Sequence, residues 1–393
     1  MQYDERSLDI SRHPGNVMRS VRHYDKAEAA ITVGTDQTKP RLRDARRLIA
    51  VQVDPAKTPK VVLFSPQGML TADELDLVNL LANSLVVDWL LPDAPVAVGQ
   101  RWKHSDEVVA ALYELDRVTQ NDTQSTLVAV EDDFARMELG GKVSGFQHGL
   151  RTTIESKARY RFDRKLGRLT WLGMAIRQKR DSGAVNPGLD ALAKLQVTIE
   201  PVDRSAHLTE DAIKGIATVP TEELLKISYQ SQDGSWQIAH DRRWEVTTQR
   251  GDVATLRMAY QGAALAQCKI AALSKTPNSE QPPSLADFQA DVQRALGKSF
   301  GQFIEASQTH NQADYRVYRL VILGKAKDVP IRWIYYLLTD RKGRQTVLVF
   351  DLPEEQAERF GRADEQLVST FRFREPTADA NQRQNEPSAI RDR

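Results

Sequence analysis

The chain of 393 residues contains one cysteine, Cys268. An intrachain disulfide is therefore excluded, and so is a metal centre built on several thiolates. Cys268 sits in the apolar run ALAQCKIAAL, which makes it a small buried hydrophobe rather than a nucleophile. No run of 18 apolar residues occurs. The nearest approach, NLLANSLVVDWLL at 79–91, is short and broken by Asn83, Ser84 and Asp88, so no membrane span is expected. The opening MQYDERSLDISRHPG has no apolar core of a signal peptide. As written it reads as cytoplasmic; a start that lies downstream of a lost leader reads as periplasmic or secreted. A charge of one sign is missing too. With 54 Lys plus Arg against 53 Asp plus Glu, the net charge of +1 sets up no field that would gather nucleic acid or anionic lipid.

Motifs that carry chemistry are absent as well. There is no G-x-S-x-G, H-E-x-x-H, EF-hand loop or G-x-G-x-x-G. The GKS at 297–299 lacks the preceding glycine of a phosphate loop, and Gly297 suits the end of a helix, where φ turns positive. The seven histidines (13, 23, 104, 148, 207, 240 and 310) include no pair at the spacing of helical metal ligands. No metal, no cofactor and no catalytic residue is expected. The acidic pairs Asp132–Asp133 and Glu354–Glu355 read as solvated turns or helix starts. HDRRW (240–244) and RWIYY (332–336) mix aromatics with arginine, a combination that can stack bases. Trp244, Trp333 and Tyr335 fit the core of strands better, and a nucleic-acid partner is not expected.

What is present is alternation. In GLRTTIESKARYRFD (149–163), Leu150, Thr152, Ile154, Ser156, Ala158, Tyr160 and Phe162 share one parity, and charged residues dominate the other. This predicts a long strand with one wet face. Its dry face either packs against a core or encloses a ligand, which makes Leu150, Ile154, Tyr160 and Phe162 the candidate ligand-lining residues. DRKLGR (163–168) reads as the turn to RLTWLGMAI, and KLQVTIEP (194–201) closes the run. Earlier, TADE at 71–74 is a capping box that opens a helix over 71–91, and a second helix is predicted over 105–115. Residues 1–16 read as a flexible arm, and 17–202 as an antiparallel half-barrel whose apolar face wraps the inserted helix. Residues 203–221 read as a connector.

From 222 the strands become apolar at both parities, as in YRVYRLVILG, IRWIYYLL and QTVLVFDL. Such strands need cover on both faces. SLADFQADVQRAL (284–296), capped by Ser284, and AERFGRADEQLVSTF (357–371) supply helices with apolar stripes. The fold class is therefore α+β: an antiparallel half-barrel with an inserted helix, followed over 222–375 by an α/β/α sandwich. The last residues, 376–393, have almost no apolar content and should be disordered.

Two resemblances attach to these stretches. LLPDAPVAVGQRW (90–102) and GLRTTIESKARYRFDRKLGRLTWL (149–172) resemble the half-barrel envelope domains that include the LolA lipoprotein carriers. LRMAYQGAALAQCKIAALS, LADFQADVQRALGKSFGQF and IRWIYYLLTDRKGRQTVLVFDLP, with DEQLVSTFRF (364–373), look like a PsbP-like domain. Together they imply a non-catalytic bacterial envelope protein. Its partners would be an apolar small molecule or lipid in the first region and a protein on the second. A two-domain adaptor without ligand and a hydrolase with an interdomain site remain open alternatives.

Overall fold

The computed structural model describes residues 1–9, 15–33, 35–184, 187–250, 253–273 and 283–375. The expected tail at 376–393 and part of the expected arm, 10–14, lie outside them. The chain divides into two units, Met1–Leu225 and Lys226–Arg393.

In the first unit, β1 (Gln2–Ser7) pairs antiparallel with β2 (Met18–Lys26). After a ribbon of β3 (Ile31–Val33) and β4 (Asp36–Thr38), β5 (Leu48–Val53) and β6 (Val61–Phe64) complete a sheet in the order β1-β2-β5-β6. The flexible arm is thus corrected over residues 2–7. QYDERS has no apolar alternation, but its backbone pairs with β2 and leaves β1 as an edge.

The helical stretch is corrected too. Instead of one helix over 71–91 there are α1 (Ala72–Val78), α2 (Ser84–Val87) and a 3-10 turn at Asp88–Leu90. The capping box forms as expected: Glu74 N donates to Thr71 Oγ1, and Thr71 N donates to Glu74 Oε2. The first helix stops at Asn79, which leaves the helical region at φ −91° and ψ 75°. Ala82 follows at φ +57°, and the Asn83 side chain accepts from Leu85 N and caps a separate second helix. After β7 (Arg101–Lys103), α3 (Asp106–Tyr113) is capped by Ser105.

The remaining strands are β8 (Arg117–Asn121), β9 (Gln124–Glu131), β10 (Phe134–Gln147), β11 (Leu150–Asp163), β12 (Arg168–Arg180) and β13 (Leu189–Thr198). They form a seven-stranded antiparallel sheet in the order β13-β12-β11-β10-β9-β7, with β8 beside β10. The meander expected across 17–202 is therefore two sheets, and neither closes on itself among the described residues. Where β8 meets β10, Gly145 leaves no room for a side chain: a Cβ would stand 2.2 Å from the Arg117 carbonyl oxygen.

The alternation of β11 is realised residue by residue. From Leu150 to Tyr160 the even positions are buried, while the odd positions are exposed or, at Thr153, half-buried. Ile154, Ala158 and Tyr160 join one core with Val86, Leu90, Val109 and Leu112 from the helical stretch and Ile49 and Leu63 from the first sheet. Two small helices (α4, Glu210–Ile213, and α5, Glu222–Leu225) end this unit.

In the second unit, β14 (Ile227–Gln230) and β15 (Trp236–His240) form a small sheet with the C-terminal β23 (Arg372–Phe373). Between them run β16 (Trp244–Arg250), β17 (Val253–Tyr260), β18 (Ala263–Leu273), β19 (Phe300–His310), β20 (Arg316–Ala326), β21 (Val329–Thr339) and β22 (Gln345–Pro353). These seven make an antiparallel sheet in the order β16-β17-β18-β22-β21-β20-β19. On one face, Phe288 and Val292 of α6 (Leu285–Leu296) pack on Tyr318, Leu320, Ile322 and Leu337. On the other, α7 (Ala357–Phe360) and α8 (Ala363–Ser369) bring Phe360, Leu367 and Val368 against Val321, Ile334, Leu348 and Phe350. The two parities of one strand thus feed two cores, which is why these strands read as apolar throughout. Cys268 is fully buried in the second of them, and burial pushes its thiol up.

Candidate functional site

The four residues expected to line a ligand site sit with the first unit's core and do not line the cleft described below. Leu150, Ile154 and Tyr160 are buried, and Phe162 is half-buried against the first unit's core. The Tyr160 hydroxyl donates to the Leu90 carbonyl at 3.2 Å, and Tyr113 and Ser156 hydroxyls meet at 2.5 Å. The space that could have held an apolar molecule is filled by α2, the 3-10 turn after it and α3.

A broad cleft of the first unit lies elsewhere. Its volume is about 1530 Å³. One wall is the edge strand β1, another the end of β13 and the chain that follows it to Glu210, and the floor is α1 and its connection to α2. Both bordering strands are the outermost of their sheets among the described residues, so each has one side without a strand partner. Alternate backbone N–H and C=O groups on such a side are free to pair with another extended chain.

A buried polar cluster is built into the floor. Arg22 is 3% exposed. Its Nε donates to Glu5 Oε1 at 2.8 Å, and its Nη2 donates to Asn83 Oδ1 at 2.7 Å and Ser84 Oγ at 2.8 Å. Ser84 Oγ and Ser20 Oγ donate to the two oxygens of Glu5 at 2.5 and 2.7 Å. The register that faces Glu5 with Arg22 is fixed by the β1–β2 pairing. Burial would raise the Glu5 carboxyl, but the Arg22 guanidinium and the Ser84 and Ser20 hydroxyls outweigh it and hold the group below the usual carboxylate range. The Arg22 guanidinium stands 4.9 Å from the Tyr3 ring centroid, and Tyr3 lies 4.8 Å from Tyr24. The cluster is saturated internally, so it shapes and stiffens the floor.

The rest of the lining is mixed. Leu77, Leu80, Leu81, Leu195, Val197 and Val202 give apolar surface. Eight carboxylates (Asp4, Glu5, Glu28, Asp73, Asp76, Glu200, Asp203 and Glu210) face four guanidinium groups (Arg6, Arg22, Arg168 and Arg204), and no lysine is present. Arg168 lines the cleft, and its buried Nε has no acceptor among the described residues. Within that second wall, the chain 205–210 lies across β1. Ser205 Oγ donates to Asp4 Oδ2 at 2.5 Å, and Arg6 Nη1 donates to the Leu208 carbonyl at 3.1 Å. There the rings of His23 and His207 stack 3.8 Å apart.

The buried Glu5–Arg22 pair carried no signal in the sequence. Glu5 and Arg6 stood in the expected arm, and Arg22 in an unremarked strand. The arginine-aromatic stretches that did stand out are structural. Trp244 is buried, Arg243 pairs with Asp241, and Arg332 pairs with Glu354.

No family model matches the chain, and no curated protein matches it. Solved structures with a detectable likeness include cyanobacterial PsbP from Synechocystis, at 13% identity over 38% of this chain and 92% of that one, with a TM-score of 0.30. Another is the Ran-binding protein Mog1p of Saccharomyces cerevisiae, at 7% identity over 38% of this chain and 95% of that one, also at 0.30. A Bacteroides thetaiotaomicron protein matches at 8% identity over 38% of this chain, with a TM-score of 0.28, and this chain spans about half, 48%, of its length. Likenesses of this strength identify no family. A LolA-like carrier is shown by none of them.

Proposed function

We propose that the protein is a non-catalytic binding protein, and that the first unit's cleft holds an extended polypeptide segment with basic side chains. The observation that carries this reading is the pairing of the open β1 edge with a large trough. A cleft of about 1530 Å³ exceeds the roughly 300–1,000 Å³ of a small-molecule pocket. An added strand gains main-chain hydrogen bonds from an edge and side-chain specificity from the pockets beside it. Here the lining sets apolar side chains such as Leu77, Leu80 and Val197 in the same cleft as carboxylates such as Glu200 and Asp203. The excess of carboxylates selects for lysine and arginine in the guest by charge complementarity.

The probe is a fluorescein-labelled decapeptide of alternating Lys and Val, with a Glu–Val peptide as its control. Anisotropy should show saturable binding of the first and none of the second. Reversing two exposed wall charges, Glu200→Lys with Asp203→Lys, should weaken it. Hydrogen exchange should slow at the amides of Tyr3 to Ser7 when the peptide is bound, as strand addition requires. Equal binding of both peptides, or unchanged exchange along β1, would refute the proposal. Retention of a fatty acid in native mass spectrometry without peptide binding would favour an apolar ligand instead.

A further inference from the structure

The strands and the connector bring together three metal-ligating side chains that are far apart in sequence. His23 sits on β2, Asp25 two residues along the same strand, and His207 on the chain that crosses β1. Each offers one ligand atom, and the three atoms lie within 4.8 Å of one another. We propose that His23, Asp25 and His207 bind a divalent transition-metal cation of the zinc type, and that the cation ties the 205–210 segment to the sheet.

Two observations support the assignment. His23 Nδ1 is buried and makes no hydrogen bond. It stands 3.5 Å from Asp25 Oδ1, too long for a strong bond between them. A buried nitrogen without a partner is the position a cation would satisfy. The donor set agrees with this: two imidazoles and one carboxylate suit zinc and its neighbours, whereas magnesium and calcium favour oxygen alone. With one water, the three ligands make the open tetrahedral arrangement of a zinc site.

The geometry says which groups must move. Bonds of roughly 2.0–2.2 Å bring the ligand atoms of a tetrahedral ion to about 3.4 Å apart. His23 is fixed on its strand. Asp25 and His207 are exposed and free to turn. The two rings are now nearly parallel, with 17° between their planes, so their lone pairs run side by side. The His207 ring must rotate out of the stack to aim at a shared ion. The connector is already held by Ser205 to Asp4 and by Arg6 to Leu208, so this rotation is local.

The test is calorimetric titration of tag-free full-length protein with zinc chloride at pH 7.5, followed by the visible spectrum of the cobalt(II) complex. One saturable site is expected, with tetrahedral cobalt bands. His23→Ala and His207→Ala should each weaken it by ~10-fold or more, and Asp25→Asn by less. His207→Cys should retain tight binding, because a thiolate replaces the imidazole. His207 is exposed, so its variants fold, and circular dichroism confirms it. The absence of saturable binding would overturn the proposal, and so would a His207→Ala protein that binds zinc like the parent. Neither result depends on whether the cleft takes a peptide.

Discussion

Tyr336 donates its hydroxyl to Asp364 Oδ2 at 2.7 Å, in a site from which water is excluded: Asp364 is 0% exposed. Arg319 joins the same oxygen, from Nη2 at 3.0 Å and Nε at 3.2 Å. This joins β20 and β21 to α8 through one carboxylate. Removing it takes the acceptor from the Tyr336 phenol and one acceptor from the Arg319 guanidinium. Breaking a buried pair of this kind costs about 3–5 kcal/mol. Asp364→Ala should lose about 3 kcal/mol, since Arg319 keeps Glu305 at 2.6 Å as a second partner. Asp364→Asn, which still accepts a hydrogen bond, should lose less. Urea unfolding of the two variants measures both, and an alanine variant of parental stability would contradict the role.

Glu114 predicts a pH dependence. It ends α3 in the left-handed region at φ +55°, its Oε1 is buried without a partner, and its Oε2 accepts from Asn79. Burial pushes its carboxyl up to about 7, against a smaller opposing pull from the Asn79 amide. A folded value above the unfolded one means that the native state holds the proton more tightly. Its contribution is fully present below the unfolded value near 4.5 and is lost as pH rises through about 7. Glu114→Gln should therefore match the parent at pH 4 and exceed it by about 1–3 kcal/mol at pH 9. Chemical unfolding at the two pH values checks this; a pH-independent difference would count against it.

The parts of the fold legible in the sequence were those set by neighbours along the chain. The capping box at Thr71, the cap at Ser284, the turn at 163–168 and the alternation of β11 depend on residues a few positions apart. The two-sided apolar strands of the second unit announced helices on both faces. What escaped is what tertiary pairing decides. β1 is polar, and its partner alone makes it a strand. The 71–91 stretch has a helical stripe, but the chain leaves the helix at Asn79 and Asn83 caps a second one. The burial of Ile154 and Phe162 was readable; that α2 and α3 would fill the space opposite them was not. Arg22 with Glu5, and His23 with His207, meet only across strands and a connector, so no spacing rule could find them.

The buried pair at the cleft floor should behave non-additively. Arg22→Met leaves the Glu5 carboxylate with two hydroxyls and no cation, and Glu5→Gln leaves a buried guanidinium. Each should cost about 3–5 kcal/mol. The double variant removes both charges and should cost less than the sum by at least ~1 kcal/mol. Because the Glu5 carboxyl is held below its ordinary value, its contribution is present above about pH 4.5 and fades as pH falls through the lower folded value. A double-mutant cycle at pH 7 and again at pH 3.5 reads both effects. Additive costs would mean that the two groups do not depend on each other.

Ile154 distinguishes a packed face from a ligand-lined one. It is 1% exposed, opposite Val143 on β10, inside the core that α3 completes. Truncation to alanine deletes buried methylenes and leaves a void that its neighbours only partly fill. Such changes cost about 2–5 kcal/mol. Tyr160→Phe removes only the bond to the Leu90 carbonyl and should cost about 1 kcal/mol, with the ring still packed. A residue that lined an empty ligand space would show the opposite pattern, with little loss on truncation, because no contacts would be forfeited. Thermal unfolding of Ile154→Ala beside Tyr160→Phe therefore decides between the two, and the packed interior requires the isoleucine variant to be the less stable by a clear margin.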